Sequence, residues 1–98
     1  MNIYFKVHKS PKGDVLAVCD KELIGKILEE NHFHFEIYRS FYKGEKITSK
    51  ELKKLIHEFD NINLVGERSV KVAISEKIAS EKNVIIIKNV PHVQIFTI

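Results

Sequence analysis

The chain has 98 residues, 44% of them hydrophobic, which is enough to build the core of one folded domain and argues against disorder. Its formal net charge of +3 tolerates contact with a polyanion but does not require it, and its single cysteine excludes an internal disulfide or a Cys-based zinc cluster. No apolar run approaches the roughly 20 residues of a membrane-spanning helix, and residues 1–6 lack the pattern of a signal peptide. We therefore expect a cytoplasmic protein without a membrane partner.

The first half of the chain shows strand patterns. Residues 1–8 alternate apolar and polar side chains, which predicts a half-buried strand, and the apolar run 15–19 after a turn predicts its hairpin partner. Asp20 is placed to cap a short helix over 21–28, or only one turn of it, because a glycine interrupts the pattern. A second alternation over 32–38 predicts a third strand.

The second half is richer in helix. A Thr-x-x-Glu capping box opens a helix with a continuous apolar stripe over about residues 49–60. Another amphipathic pattern predicts a helix over about 64–80. The branched run 84–87 predicts a buried strand, and a turn over 89–92 leads to a final strand over 93–98.

These elements predict one α+β domain over residues 1–98. The domain has two layers, with two to three helices packed against a mostly antiparallel or mixed sheet, in the order ββ-α-β-α-α-β-β. The order of the strands within the sheet does not follow from the sequence.

The start of the helix over 64–80 is unusual, because it contains a glycine and a Glu-Arg pair. Gly66 costs about 1 kcal/mol relative to alanine inside a helix, which indicates close backbone approach by a packing partner or a ligand. Arg68 is one of two arginines beside fourteen lysines, which indicates a need for guanidinium geometry. A buried structural pair and a contact with a carboxylate or phosphate both satisfy that need. Glu67 can pair with Lys71 one turn later.

Further polar residues lie near predicted element ends. His92 and Gln94 share one strand face beside a proline, where they can hydrogen-bond a ligand or local backbone groups. Cys19 before Asp20 is either a nucleophile at a helix start or a small core residue. No residue is assigned a catalytic role. If one ligand-binding surface exists, we expect these residues to converge there: His8, Cys19, Asp20, Gly66, Glu67, Arg68, His92 and Gln94.

Three residues of the predicted strand over 32–38 have the spacing of metal ligands. His32, His34 and Glu36 share a strand face and can present two imidazoles and a carboxylate to zinc. A solvated strand face explains the same pattern, and no fourth ligand is evident. We expect neither a metal nor a cofactor.

The densest basic region lies on and before the capped helix. Lysines opposite the apolar stripe, with an aromatic residue nearby, are typical of phosphate attraction and base stacking. The alternative is an ordinary solvated helix exterior. The predicted nucleic-acid-binding residues are Lys43, Lys46, Lys50, Lys53, Lys54 and Tyr42.

Five segments carry a resemblance to a known family: Lys6 to His8, Val15 to Lys26, Phe41 to Gly44, Asn63 to Val70, and Val90 to Gln94. In these segments the chain resembles the small archaeal proteins described as domain of unknown function 424. The resemblance implies an archaeal, cytoplasmic single domain with no established activity or catalytic residues, and an association with RNA or translation. The histidine strand and the helix lysines lie outside these segments.

The leading functional hypothesis is a non-enzymatic accessory module that binds RNA or a ribonucleoprotein. The runner-up is a structural or protein-interaction module that forms a homodimer through an exposed strand such as 93–98. A small hydrolase or thiol enzyme is third.

Overall fold

The computed structural model describes residues 2–97, which form an α+β domain as predicted. Its strands are β1 (Ile3–His8), β2 (Val15–Asp20), β3 (Ile27–Glu30), β4 (Phe33–Glu36), β5 (Glu45–Ile47), β6 (Asn61–Val65), β7 (Ile85–Ile87) and β8 (Val90–Phe96). Its α-helices are α1 (Arg39–Tyr42), α2 (Ser49–Leu55) and α3 (Glu67–Ser75). The outermost residues of the predicted strands over 1–8 and 93–98 lie outside the described part of the chain. None of the described helices is long and apolar enough to cross a bilayer.

Six strands form one mixed sheet in the order β5-β1-β2-β6-β8-β7, and β3 and β4 form a separate hairpin. The pair β2–β6 is parallel, with Cys19 opposite Val65, whereas the other neighbours in the sheet are antiparallel. Because parallel strands end at the same edge, the ends of β2 and β6 bring Asp20 and Gly66 together.

The sheet is covered on both faces. One face, which we call the helix face, packs Leu16 and Val18 of β2 beneath α2 and α3. The other, which we call the hairpin face, packs Ala17 and Cys19 beneath β3, β4 and α1. The helix layer was predicted. The hairpin cover was not, because only a helix was expected between β2 and the third predicted strand.

The capped helix forms as predicted. The Glu51 amide donates to Thr48 Oγ1 at 3.1 Å, and the Thr48 amide donates to Glu51 Oε1 at 3.0 Å. Leu52 and Ile56 are fully buried on the helix face. The α-helix ends at Leu55 and continues as a 3-10 turn to Glu58, close to the predicted end.

The prediction of a helix over 64–80 is wrong at both ends. Residues 61–65 form β6, whose alternating side chains pair with β2 and β8, and the helix begins only at Glu67. It ends at Ser75, because Lys77 adopts φ +60° and its amide donates to the Ile74 carbonyl at 3.0 Å. This is the left-handed cap that closes many helices, here without glycine.

Of the two alternatives for residues 21–28, a full helix does not form and a single turn does, as a 3-10 turn at Lys21–Leu23. Gly25 adopts φ +84° and donates to the Ile37 carbonyl at 2.8 Å, which turns the chain into the β3–β4 hairpin. With β3, β5 and β6 included, the observed order is ββ-ββ-α-β-α-β-α-ββ rather than ββ-α-β-α-α-β-β.

The strand predicted over 84–87 forms as β7, but of its three residues only Ile87 is buried. It is an edge strand, and Ile85 and Ile86 are 49% and 63% exposed. Lys88 and Asn89 turn with φ of +51° and +64°, so β8 starts three residues before the predicted position.

Candidate functional site

The buried carboxylate of Asp20 anchors the start of α3. Asp20 is 2% exposed, and its Oδ1 accepts hydrogen bonds from the Ser69 amide at 2.9 Å and the Ser69 hydroxyl at 2.7 Å. Its Oδ2 accepts from the Arg68 amide at 3.0 Å. Asp20 is therefore a cap, as expected, but for a helix 48 residues away rather than for the turn that follows it.

Gly66 is the residue that lets this carboxylate approach. A Cβ at Gly66 would lie 2.3 Å from Asp20 Cγ, and the backbone adopts φ +108°, which side-chain-bearing residues avoid. The Gly66 amide donates to the Pro91 carbonyl at 2.9 Å. Of the two alternatives left by the sequence, a packing partner accounts for this glycine.

Arg68 also has partners inside the protein. Its guanidinium donates to Glu22 Oε1 and, at 3.3 Å, to the Asn2 carbonyl, while its Nε lies 4.0 Å from Asp20 Oδ2. Burial alone would raise the pKa of Glu22, but a hydrogen bond from its own backbone and the bond and charge of Arg68 lower it. Glu67 is exposed, and its expected pair with Lys71 is not formed within 4.0 Å. A structural pair thus accounts for Arg68.

Cys19 is a core residue in this fold. Its side chain is fully buried, and its thiol donates to the Asp20 carbonyl at 3.3 Å. Burial, with the charges of Asp20 and Glu22, raises the pKa of Cys19 to about 12. Since the thiolate is the nucleophile, this environment disfavours the thiol-enzyme hypothesis.

The reactivity of Cys19 gives a direct check of this burial. At pH 7, a pKa of about 12 leaves a thiolate fraction about 10³-fold below that of an unperturbed cysteine. We expect an aromatic disulfide reagent to label the folded protein at least that much more slowly than the protein in guanidinium, as followed by absorbance. Labelling of the folded protein within minutes would bring the thiol-enzyme hypothesis back.

The eight residues expected on one surface separate into two groups. Asp20, Gly66, Glu67 and Arg68 line a cleft of about 150 Å³ at the shared end of β2 and β6. The others lie on the hairpin face: His92 and Gln94 line a cavity there, His8 stacks on Phe41 at 4.5 Å, and Cys19 is buried beneath the hairpin. The structure does not make one surface of them, and ligand binding by either group stays a prediction.

The cavity on the hairpin face, which we call the amide–aromatic pocket, has a volume of about 450 Å³. Its floor contains Asn63 of β6 and Gln94 of β8, which are direct cross-strand partners. Its walls come from β4, α1 and the segment between them. The lining residues are His34, Phe35, Glu36, Tyr38, Phe41, Tyr42, Asn63, His92 and Gln94.

The aromatic side chains of this pocket are differently engaged. Phe35 stacks on His92 with ring centroids 4.7 Å apart, whereas the Tyr38 side chain is 56% exposed at the surface.

Burial lowers the pKa of His92, so its imidazole is neutral at pH 7. Within residues 2–97, the side chains of Asn63, Gln94 and His92 make no hydrogen bond to another residue.

The exposed lysines of α2, Lys50, Lys53 and Lys54, form a separate surface, which we call the lysine surface. Lys43 and Lys46 are also exposed, but Lys43 follows α1 and Lys46 alternates in β5 with Ile47, which packs on the helix face, so both lie on the hairpin side of the sheet. In the described part of the chain, none of these ammonium groups lies within 4.0 Å of a carboxylate. Tyr42 does not belong to the lysine surface: the ring is 4% exposed and burial raises its pKa, so little of the ring is available for stacking on bases.

A groove of about 340 Å³ between α2 and α3 extends this basic character. Lys53 of α2 and Arg68 and Lys71 of α3 line it, together with the hydroxyls of Ser49 and Ser75. Lys71 is a further candidate that sequence reasoning treated only as a partner for Glu67.

Comparison with known proteins identifies the family. The chain matches the family described as "Protein of unknown function (DUF424)" over residues 8–98. It belongs to this family. The crystal structure of an uncharacterized conserved protein from Methanopyrus kandleri, an archaeon, is similar with a TM-score of 0.78 and 26% identity, covering 95% of this chain and 89% of that one. Comparison with curated proteins gives no match. The family resemblance is confirmed, and these likenesses carry no activity.

The structure of this DUF424 protein gives little support to a metal site formed by His32, His34 and Glu36. His34 Nδ1 lies 3.6 Å from Glu29 Oε1 across the β3–β4 hairpin, and His32 falls in the connecting turn rather than in β4. Across residues 2–97, no three His, Cys, Asp or Glu side chains are grouped as metal ligands.

Sequence reasoning missed Asn63, Phe35 and Tyr38 as pocket residues. The alternation Asn-Ile-Asn-Leu over residues 61–64 was the available signal, because it places two amides on one strand face. It was overlooked because part of it was assigned to the start of a helix.

Proposed function

We propose that this DUF424 protein is a non-enzymatic accessory module that binds RNA, free or within a ribonucleoprotein, through its lysine surface. The observation that carries the proposal is the cluster of exposed ammonium groups without carboxylate partners. Such groups are free to replace the counterions of a phosphate backbone, and this release supplies most of the sequence-independent affinity for nucleic acids. A cytoplasmic location, as expected from the sequence, is part of the same proposal.

The helix α2 is a suitable support for these contacts. Its apolar stripe is anchored by Leu52 and Ile56, both fully buried, and its start is fixed by the capping box. Lys50, Lys53 and Lys54 therefore project from a rigid element rather than from a mobile loop. Lys71 across the α2–α3 groove widens the surface that a phosphate backbone can follow.

The chemistry of the described residues supports binding rather than catalysis. The one thiol has a raised pKa, and the strand-end carboxylate of Asp20 is saturated by three hydrogen bonds to α3. Neither is placed to activate a nucleophile or to transfer a proton.

Removal of charge from α2 tests the proposal. We expect the combined variant Lys50→Gln, Lys53→Gln and Lys54→Gln to bind a single-stranded RNA at least tenfold more weakly at low salt. Its plot of log affinity against log salt should be less steep by about 2, since each lost phosphate contact removes about 0.7 from the slope. Fluorescence anisotropy over a salt series measures both quantities.

A matched control removes the same charge elsewhere. The lysines Lys12, Lys26 and Lys82 are exposed and lie outside the lysine surface, so their joint replacement by glutamine changes net charge equally. This variant should retain most of the affinity and the original slope. Equal losses in both triple variants, or no RNA binding by the unmodified protein, would contradict the proposal.

A second candidate is homodimer formation through the sheet edge that holds β7 and the end of β8. Ile85, Ile86 and Phe96 are 49%, 63% and 67% exposed there. Because β7 pairs only with residues 90–92 of β8, residues 93–96 have no strand partner on that side among the described residues. Exposed apolar strand edges are common sites of strand addition.

Sedimentation at several protein concentrations tests this candidate. A dimer paired through this edge should dissociate on dilution, and the Ile86→Lys variant should shift towards monomer. Lys82→Gln, close in sequence but polar at the outset, serves as the control. A dimer unaffected by Ile86→Lys would place the interface elsewhere.

A further inference from the structure

The amide–aromatic pocket holds hydrogen-bonding groups that the fold leaves unused. Asn63 and Gln94 are cross-strand partners with their side chains on the hairpin face. His92, two residues before Gln94 in β8, lies on the same face. None of the three makes a side-chain hydrogen bond to another residue of the described chain. Asn63 is half-buried and Gln94 is exposed, so both amides can be reached from the cavity and can bond a partner supplied from outside.

The arrangement of the amides limits the kind of partner. Each amide offers one acceptor and two donor hydrogens, so the pair Asn63–Gln94 presents donors and acceptors side by side. This matches a ligand edge on which a donor and an acceptor are neighbours. Asparagine and glutamine make such paired bonds with adenine in protein–nucleic acid complexes.

The aromatic walls of the pocket favour a planar ligand. Phe35 already has one ring face against His92, and Phe41 has one against His8, so both are fixed in orientation. Tyr38, with 56% exposure, offers a free ring on the same side. Aromatic rings beside a polar floor are the usual platform on which bases stack.

The charge of the pocket disfavours an anionic ligand. Among the described residues that line it, none is a lysine or an arginine and Glu36 carries a carboxylate, so a phosphate would meet no counter-charge inside it. Its volume of about 450 Å³ lies within the range of small-molecule sites. The occupant that satisfies size, planarity and hydrogen bonding is a neutral heteroaromatic ring.

We propose that the amide–aromatic pocket binds a nucleobase, adenine in preference to uracil, with Asn63 and Gln94 bonding its edge and Tyr38 stacking on its face. The base is supplied either by an unpaired nucleotide of single-stranded RNA or by a free nucleoside. If the base comes from RNA, this inference rests on the proposed function and adds base recognition to it, which we call the RNA form. If the base comes from a free nucleoside, the inference is independent of the proposed function, which we call the nucleoside form.

The test uses adenosine, oligo(A) and oligo(U) of eight nucleotides with the full chain and two pocket variants, Asn63→Leu and Gln94→Leu. Both replacements keep side-chain size close to the original and remove the amide. Binding is followed by anisotropy for the oligonucleotides and by calorimetry for adenosine, with circular dichroism to confirm folding. Asn2→Leu, an exposed asparagine outside the pocket, is the matched control.

We expect oligo(A) to bind more tightly than oligo(U), and each pocket variant to lose about tenfold in oligo(A) affinity without a change in salt dependence. Asn2→Leu should keep the preference. Adenosine binding that disappears in the pocket variants supports the nucleoside form. Discrimination between oligonucleotides without adenosine binding supports the RNA form.

Base binding by the pocket and RNA binding by the lysine surface can be disproved independently of each other. If the lysine variants lower affinity but oligo(A) and oligo(U) bind equally, and adenosine does not bind, the base pocket is overturned while RNA binding stands. If adenosine binds but neither oligonucleotide does, the RNA proposal fails and the pocket stands. Should Asn63→Leu unfold the protein, Tyr38→Ala at the exposed ring replaces it, and unchanged adenine preference in Tyr38→Ala and Gln94→Leu overturns the pocket.

Discussion

The Gly66→Ala protein should be less stable than the unmodified protein by about 3–5 kcal/mol, since the substitution combines overpacking with backbone strain. The new Cβ would lie 2.3 Å from Asp20 Cγ and 2.5 Å from Oδ2, and φ is +108°. The carboxylate cannot simply move away, because Arg68 and Ser69 hold it at the start of α3. As small domains are stable by only about 5–15 kcal/mol, urea unfolding should show a large decrease in midpoint or no folded baseline.

Gly13→Ala separates the two contributions to this effect. Gly13 adopts a similar φ of +116°, but no atom lies within 4 Å of the position that its Cβ would take. We expect Gly13→Ala to lower the free energy of unfolding by about 1–2 kcal/mol, from backbone strain alone. If both variants lose the same amount, the close contact with Asp20 is not what selects glycine at position 66.

The sequence identified Gly66 as a point of close approach but not what approaches it. Glycine within a helical pattern is a local signal, readable from a few residues. Its partner Asp20 is 46 positions away, and the two meet only because β2 and β6 are parallel neighbours. Which strands become neighbours in a sheet depends on the sum of many weak contacts, so no local sequence pattern indicates the β2–β6 pair.

The capped helix shows the opposite case. The hydrogen bonds between Thr48 and Glu51 lie within one turn, and the apolar stripe that follows has one interpretation, so both were predicted. Residues 61–65 were ambiguous, because a short apolar stretch can begin a helix or form a strand. In the structure these residues pair with β2 and β8 and form the strand β6, so the helix begins only at Glu67.

The same distinction separates the two candidate surfaces. The lysines of α2 were predicted from helical periodicity, since exposure on a helix follows from the stripe opposite. His92 and Gln94 were predicted as ligand-binding residues, but their assembly with Phe35 and Asn63 into one pocket could not be predicted, because the four residues come from three strands in two sheets. Residues that are close only through sheet order and hairpin docking leave no pattern in the sequence.

Asp20→Ala should lower the free energy of unfolding by about 3–4 kcal/mol, the second largest effect that we expect. The substitution leaves the amides of Arg68 and Ser69 and the hydroxyl of Ser69 without their acceptor. Asp20 and Ser69 are buried, so water does not readily replace the lost oxygen atoms. The N-terminus of α3 also loses the negative charge that its helix dipole favours. Urea denaturation at pH 7 measures the change.

Two milder variants show whether the carboxylate itself is responsible. Ser69→Ala removes one of the three bonds and should lose about 1 kcal/mol. Glu22→Gln weakens the partly exposed pair with Arg68 and should lose less than about 1 kcal/mol, because solvent screens such pairs. If Asp20→Ala were no more destabilising than Glu22→Gln, the surface ion pair rather than the buried carboxylate would hold β2 to α3. In either case the lysine surface is left intact, so RNA binding by folded Asp20→Ala should match that of the unmodified protein.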